Sequence, residues 1–385
     1  MKHIHAIALF LLACAPALAQ QAEVTITNPT NTQRYEVVEI DLAALKGHVD
    51  TGKALVVRNV AGQELTSQLT HDGKLLVHAA VRPQGTAKLY VSNGTPHPAT
   101  WTTTGAQYPQ RLDDLAWEND LCAYRVYGPA LQRTGERSFG TDVWVKNTPD
   151  TLVSTRYALD RQGISYHQDH GNGLDPYRVG ATLGLGAPAL MIADSLILPY
   201  CYRDFAILDN GPLRFTVSLT YNPTDIGGDH GVVEHRIISL DEGSHFNKMT
   251  VWYDGLRHAT NFATGFPIHQ EDTLTYTLGQ DFIAYADPTD DPLRNNCQLY
   301  VAALFPSTAV HTLLQPFSHP HDGATGHALG ILPHIGDKQR VTYYFGAAWS
   351  NYDVRTYEEW LLVIQNHMKS LSQPLIVTVS PSTSR

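Results

Sequence analysis

Short runs rich in Val, Ile, Leu and Thr, each closed by a turn signal, recur along this chain, and no helical pattern alternates with them. This constrains the fold more than any other feature. Strands joined by tight turns pair antiparallel, whereas parallel sheets need a crossover, usually a helix, between strands. The first runs are 24–27, 35–42, 54–60, 74–81 and 87–91, separated by Asn28-Pro29, Gly62, Asp72-Gly73 and a turn from Arg82 to Gly85. Later runs at 195–198, 202–208, 213–221, 231–240, 247–253, 282–285, 299–304 and 340–347 continue the pattern. One helix stands out near the C-terminus. Tyr357, Trp360, Leu361, Ile364, Met368 and Leu371 share a face, Glu358 and Glu359 suit its first turn, and Pro374 ends it. The expectation is a mainly β, antiparallel protein with one C-terminal helix.

Between the two sets of strands lies a stretch of different character, 111–180. It concentrates Trp, Tyr, His, acidic and basic residues and has few aliphatic ones. A core segment would be richer in Val and Leu, and a linker would be poorer in rings. This mixture suits a cleft for a polyhydroxylated ligand, with aromatic faces stacking on sugars and charged or amide groups bonding hydroxyls. Five glycines from Gly171 to Gly186 would let backbone approach a ligand, but they match neither a Walker loop nor a dinucleotide fingerprint.

The chain has 385 residues, 43% hydrophobic and 17% charged, enough for a large core. Its net charge of -10 argues against nucleic acid, which needs a basic footprint. Residues 1–19 read as a secretory signal: Lys2, an apolar run from Ile4, then Ala17-Leu18-Ala19. The expected location is therefore periplasmic or extracellular, with lipoprotein anchoring at Cys14 the lesser alternative. No run suggests a membrane span. Residues 20–98 read as an N-terminal β layer or small β-domain, and 99–385 as the main β-sandwich carrying the cleft. Cys122, Cys201 and Cys297 are odd in number, so at least one is unpaired, and buried free thiols are expected.

Arg-Leu-Asp-Asp-Leu-Ala-Trp-Glu-Asn-Asp at 111–120, Tyr-Gly-Pro-Ala-Leu at 127–131, Asp-Val-Trp-Val-Lys at 142–146 and Tyr-His-Gln-Asp-His-Gly at 166–171 carry a resemblance. So do Asn-Gly-Pro at 210–212 and Leu-Asp-Glu-Gly-Ser at 240–244. With these motifs the chain resembles a family of secreted bacterial proteins classed as a domain of unknown function, number 4861 in that series. The resemblance covers nearly the whole mature chain. It implies an antiparallel β-supersandwich of the galactose-mutarotase-like type and an association with polysaccharide degradation. It implies no catalytic residue. Phe139-Gly-Thr-Asp142 departs from the expected turn.

The residue types support three chemistries. A lyase cleaving a uronate glycan by β-elimination must neutralise the carboxylate, remove the α-proton and protonate the leaving oxygen. Arg125 and Asn119 would hold the carboxylate, with Lys146 a second neutraliser. His167 or His170 would take the proton, Tyr166 or Tyr127 would return it, and Trp117 and Trp144 would stack on flanking sugars. Asp169, Tyr177, His235 and His269 complete the candidate binding set. A glycoside hydrolase would instead use paired carboxylates from Glu118, Asp120, Asp169 and Asp175, and an aldose epimerase would use His with Glu. A non-catalytic glycan-binding protein would need only the rings, Trp101 included. No cofactor is expected. A divalent metal stays open at His167–His170 or at His319-Pro-His321-Asp322, although neither has metalloprotease spacing. The expected partner is a glycan, with oligomeric state open.

Overall fold

The computed structural model of the protein describes residues 21–269, 276–291, 293–306 and 310–382. The signal read at 1–19 lies outside them. The described residues form antiparallel sheets. The largest runs Tyr202–Asn210, Arg214–Tyr221, Asp229–Asp241, Phe246–Asp254, Val341–Trp349, Leu299–Leu304, Phe282–Asp287, Tyr276–Leu278, with Thr224–Ile226 pairing beside Asp229–Asp241. Two five-stranded sheets pack on its inner face. One is Ser195–Ile197, Pro188–Ile192, Thr260–Ile268, Ala324–Ile335, His311–His321. The other is Gly173–Leu174, Asp142–Lys146, Cys122–Val126, Asp114–Glu118, Thr104–Tyr108. One continuous core joins all three, with Trp117, Tyr124, Phe215, Val217, Met249, Phe266, Tyr285 and Phe345 in it. This is an antiparallel β-supersandwich.

Residues from 21 to 93 build a smaller sandwich with its own core, including Val24, Ile26, Ile40, Val57, Leu75 and Val91. Its edge strand comes from the far end of the chain: Ile376–Pro381 pairs with Gln21–Thr27 from Thr27↔Ile376 to Ala22↔Pro381. A division at residue 98 leaves that strand on the other side.

The helix expected from its apolar face spans Tyr357–Ser372. Thr356 and Glu359 form a reciprocal capping box. Trp360 and Ile364 bury against Phe246, Tyr300, Ala302 and Leu304 on the outer face of the largest sheet. Each contributes roughly 1.5–3 kcal/mol by removing apolar surface from water. A second helix, Val153–Asp160, was not expected and lies over the polar sheet. All three thiols are free. Cys122 and Cys201 are buried, but Cys297 is exposed, against expectation.

Candidate functional site

Period-two alternation explains the polar stretch. Leu115, Trp117, Cys122, Tyr124, Val126, Val143 and Val145 point into the core. The intervening Asp114, Glu118, Arg125, Asp142, Trp144 and Lys146 therefore share the opposite face, and the register sets Arg125 across from Asp142 and Ala116. That face is not open. Helix Val153–Asp160 and the loop after it cover it, with Tyr157 and Tyr166 packing on Trp144 at ring distances of 5.3 and 4.7 Å.

At one end of this face every polar group finds a partner. Glu118 accepts the Leu152 and Val153 amides at the helix N-terminus, about 2.9 Å each. Lys146 Nζ bonds Glu118 at 3.0 Å, the Asn119 carbonyl at 2.7 Å and the Asp150 carbonyl at 2.6 Å. Asn119 bonds the Asp241 and Ser244 carbonyls, both at 2.7 Å. Trp117 is in the core, giving its indole N–H to Asn247. These four side chains brace the sandwich, and this arrangement leaves them no face or valence for a sugar.

The other end is different. Arg125 meets Asp142 at 2.5 Å, Asp175 at 3.0 Å and Asp114 at 3.5 Å, with Tyr127 and Trp144 over its guanidinium. Its guanidinium is buried and already engaged by three acidic side chains, which leaves Arg125 no free face for the substrate carboxylate that the sequence suggested. Burial, and then the Asp142 charge, push the Asp175 pKa well above the carboxylate range despite Arg125. Among the described residues, Arg125 Nε, Asp114 Oδ1, Asp142 Oδ1 and the Tyr177 hydroxyl are buried without a hydrogen bond.

Tyr177 links this end to the neighbouring sheet. Its ring stands edge-on to His269, centroids 5.8 Å apart. His269 follows strand Thr260–Ile268, and its Nδ1 lies 2.6 Å from Asp287 Oδ2. Burial opposes charge on His269, but the Asp287 charge and hydrogen bond, with the Arg178 backbone carbonyl, together outweigh it and raise the pKa. His269 Nε2 has no partner of full hydrogen-bond geometry among the described residues. Burial holds the Tyr177 phenol well above its ordinary pKa, so it keeps its proton. Near them, His327 is driven down to about 3 by burial and by the charges of His321 and His269, and its Nε2 accepts the Leu183 amide. Half-exposed Arg178 lies at the rim, paired with Asp290 at 2.6 Å.

The remaining candidates fall elsewhere. Exposed His167 sits beside Tyr166, its Nδ1 3.1 Å from the Asp175 carbonyl. His170 bonds the Ser165 carbonyl, and Asp169 accepts the Gly171 and Gly173 amides, so both shape their own loop. His235 stacks on Trp252 on the outer face of the largest sheet. The glycine-rich segment approaches protein rather than leaving room for a ligand: a Cβ on Gly184, at φ +53°, would sit 2.3 Å from the Thr141 carbonyl oxygen. His321 pairs with Asp322, and among the described residues no group of three or more His, Cys, Asp or Glu is placed to hold a metal ion. Asp287 and His327 were missed from sequence. Each is a lone residue on a strand, with no motif around it.

The fold and this polar junction define a class, the antiparallel supersandwich with a charged sheet buried under a short helix. The domain of unknown function (DUF4861) matches residues 26–377, and the chain belongs to that family. "Uncharacterized protein P7" of Formosa agariphila is 26% identical over 409 residues, spanning 98% of this chain and all of that protein. Two solved structures share the fold at 8% identity. A protein in the Glycosyl Hydrolase Family 38 from Enterococcus faecalis superposes with TM-score 0.55, over 94% of this chain and 47% of its own. An alpha-mannosidase from Enterococcus faecalis V583 gives 0.52, over 94% and 46%. This chain spans about half the length of those structures.

Proposed function

We propose that the protein is a secreted carbohydrate-active enzyme, and that it cleaves a uronate-containing glycan by β-elimination at the edge formed by His269, Asp287 and Tyr177. The observation that carries this reading is the His269–Asp287 contact at 2.6 Å beside the Tyr177 phenol, which has no hydrogen-bond partner among the described residues. His269 Nε2 removes the proton α to the sugar carboxylate, and Asp287 stabilises the imidazolium that forms. The bond from the β-carbon to the glycosidic oxygen breaks as the double bond forms, and Tyr177 gives its proton to the departing oxygen. Arg178, the cation at this rim, faces the carboxylate. Secretion rests on the sequence of residues 1–19, and the glycan setting on the fold shared with glycoside hydrolases. Among the described residues no helix is long and apolar enough to cross a membrane.

A second reading has its own support. His269 and His327 have pKa values pushed in opposite directions, as a proton donor and acceptor pair would. Such a pair suits an epimerase moving the anomeric proton. Hydrolysis through Glu118 has lost its support, because that carboxylate caps a helix and holds Lys146. A panel of plant and algal uronate glycans separates the readings. β-Elimination produces ultraviolet absorbance from the new double bond, and His269→Ala abolishes it. Change in optical rotation without absorbance would replace the lyase reading with the epimerase. New reducing ends without absorbance would replace it with hydrolysis.

A further inference from the structure

A groove of about 830 Å³ lies on the other side of the largest sheet from the His269 edge. Its floor is the outward face of strands Arg214–Tyr221, Asp229–Asp241, Phe246–Asp254 and Val341–Trp349, whose inward residues fill the core. One wall is the C-terminal helix and the other is the N-terminal sandwich. The walls are tied in place: Arg34 bonds the Gln373 carbonyl at 3.0 Å, Gln68 bonds the Arg214 carbonyl at 2.8 Å, and His71 meets Asp209 at 2.8 Å. The groove is therefore built into the assembly of sheet, helix and sandwich.

Its floor is largely polar, with the hydroxyls of Thr216, Ser239 and Thr250 along it. Lys248 stands between Ser239 and Tyr344 in the cross-strand register. Lys248 is exposed, and among the described residues it has no carboxylate partner, whereas Arg34 is paired with Glu36 and Arg214 with Asp241 and Glu39. Thr216 is 3% exposed, and among the described residues its hydroxyl has no hydrogen-bond partner. His367 Nε2, on the helix wall, is also buried and unpartnered. Two rings offer faces, Tyr344 on the floor and Tyr35 at the rim, the latter 67% exposed.

These features select among ligands. The lining carries six carboxylates against three Lys or Arg, so a dense polyanion would be repelled. The floor is a sheet face rather than an edge, so an extended peptide cannot add to it as a strand. It is too polar to receive an apolar helix. Hydroxyls, a lone cation and tyrosine faces match a saccharide, and the volume lies within the roughly 300–1,000 Å³ of ligand sites. We propose that this groove is a second glycan site, holding an oligosaccharide whose acidic groups are widely spaced. Lys248 takes one carboxylate, Ser239 bonds a hydroxyl, and Tyr344 stacks on a ring.

The test is calorimetric titration of the full chain carrying His269→Ala, which removes turnover. The probes are plant and algal oligosaccharides in which uronates alternate with neutral sugars, and hexagalacturonate as the polyanion. The expected result is binding of at least one alternating oligosaccharide, weakened about tenfold or more by adding Lys248→Ala, the loss of one charge-assisted hydrogen bond. Tyr344→Ala should act in the same direction, with circular dichroism to check its folding. Exposed Lys248 carries the test if Tyr344→Ala fails to fold. No binding across the panel, affinity indifferent to Lys248→Ala, or tighter binding of hexagalacturonate would each overturn the proposal. None of these readouts depends on turnover at His269, so a failure there stays distinguishable.

Discussion

The two ends of one polar sheet face carry the same residue types and have opposite fates. At the Glu118–Lys146 end, a buried cation meets one carboxylate and two carbonyls, and the carboxylate caps a helix. At the Arg125 end, one guanidinium is shared by three acidic side chains, and among the described residues four buried polar atoms are left without hydrogen bonds. Burial of a charge is tolerable where every lone pair and proton is satisfied and costly where it is not. The satisfied end therefore acts as a brace. The unsatisfied end adjoins Tyr177 and the His269–Asp287 pair, on which the proposed chemistry rests. Charge density alone marked both ends equally, and hydrogen-bond satisfaction separates them.

Breaking the brace should have the largest effect. Lys146→Ala leaves Glu118 buried without its cation and should cost about 3–5 kcal/mol of stability, measured by denaturant unfolding. A stable but inactive Lys146→Ala would move the chemistry to this end and end the comparison. Tyr177→Phe keeps the ring against His269 and removes only the proton. It should lower turnover roughly 100-fold or more, with an unchanged melting temperature. Asp287→Asn sharpens the assignment of roles. The raised pKa of His269 means that the neutral base is present only above that pKa, so activity should rise with pH through a point above 6.5. In Asp287→Asn burial is left as the stronger influence, so that midpoint should fall below the ordinary histidine value. The smallest effect belongs to His170→Ala. Its ring bonds only its own loop, so stability should change by no more than about 0.5 kcal/mol and turnover should stay near wild type.

The strands and the C-terminal helix were legible because each repeats a local period. Trp360 and Ile364 announce a buried helix face whatever they pack on. Helix Val153–Asp160 carries no such face: only Val153, Arg156 and Tyr157 are buried, and its first turn is capped by Glu118 from another strand rather than by a neighbour. The Ile376–Pro381 strand was hidden for the same reason, since its partner lies at the opposite end of the chain. In the candidate site, the sequence grouped Arg125, Tyr166, Trp144 and Tyr127 only by residue type within one stretch; Arg125 and Trp144 share a strand face, whereas Tyr127 lies just past its strand and Tyr166 reaches Arg125 from the loop after the helix. It could not show that the helix covers that face, and it gave the proton transfer to His167 and His170, which lie in an exposed loop. Nothing in the sequence pairs His269 with Asp287, which lies 18 residues on in a different strand. The pairing exists only once the two sheets are brought together.

The central claim is that proton transfer occurs at His269 and not in the 166–171 loop. The direct test is the rate of ultraviolet absorbance growth on a cleaved glycan, compared between His269→Ala and His167→Ala at matched melting temperature. His269→Ala should lose at least about 100-fold while His167→Ala retains most of the rate. Full activity in His269→Ala, with loss in His167→Ala, would contradict it.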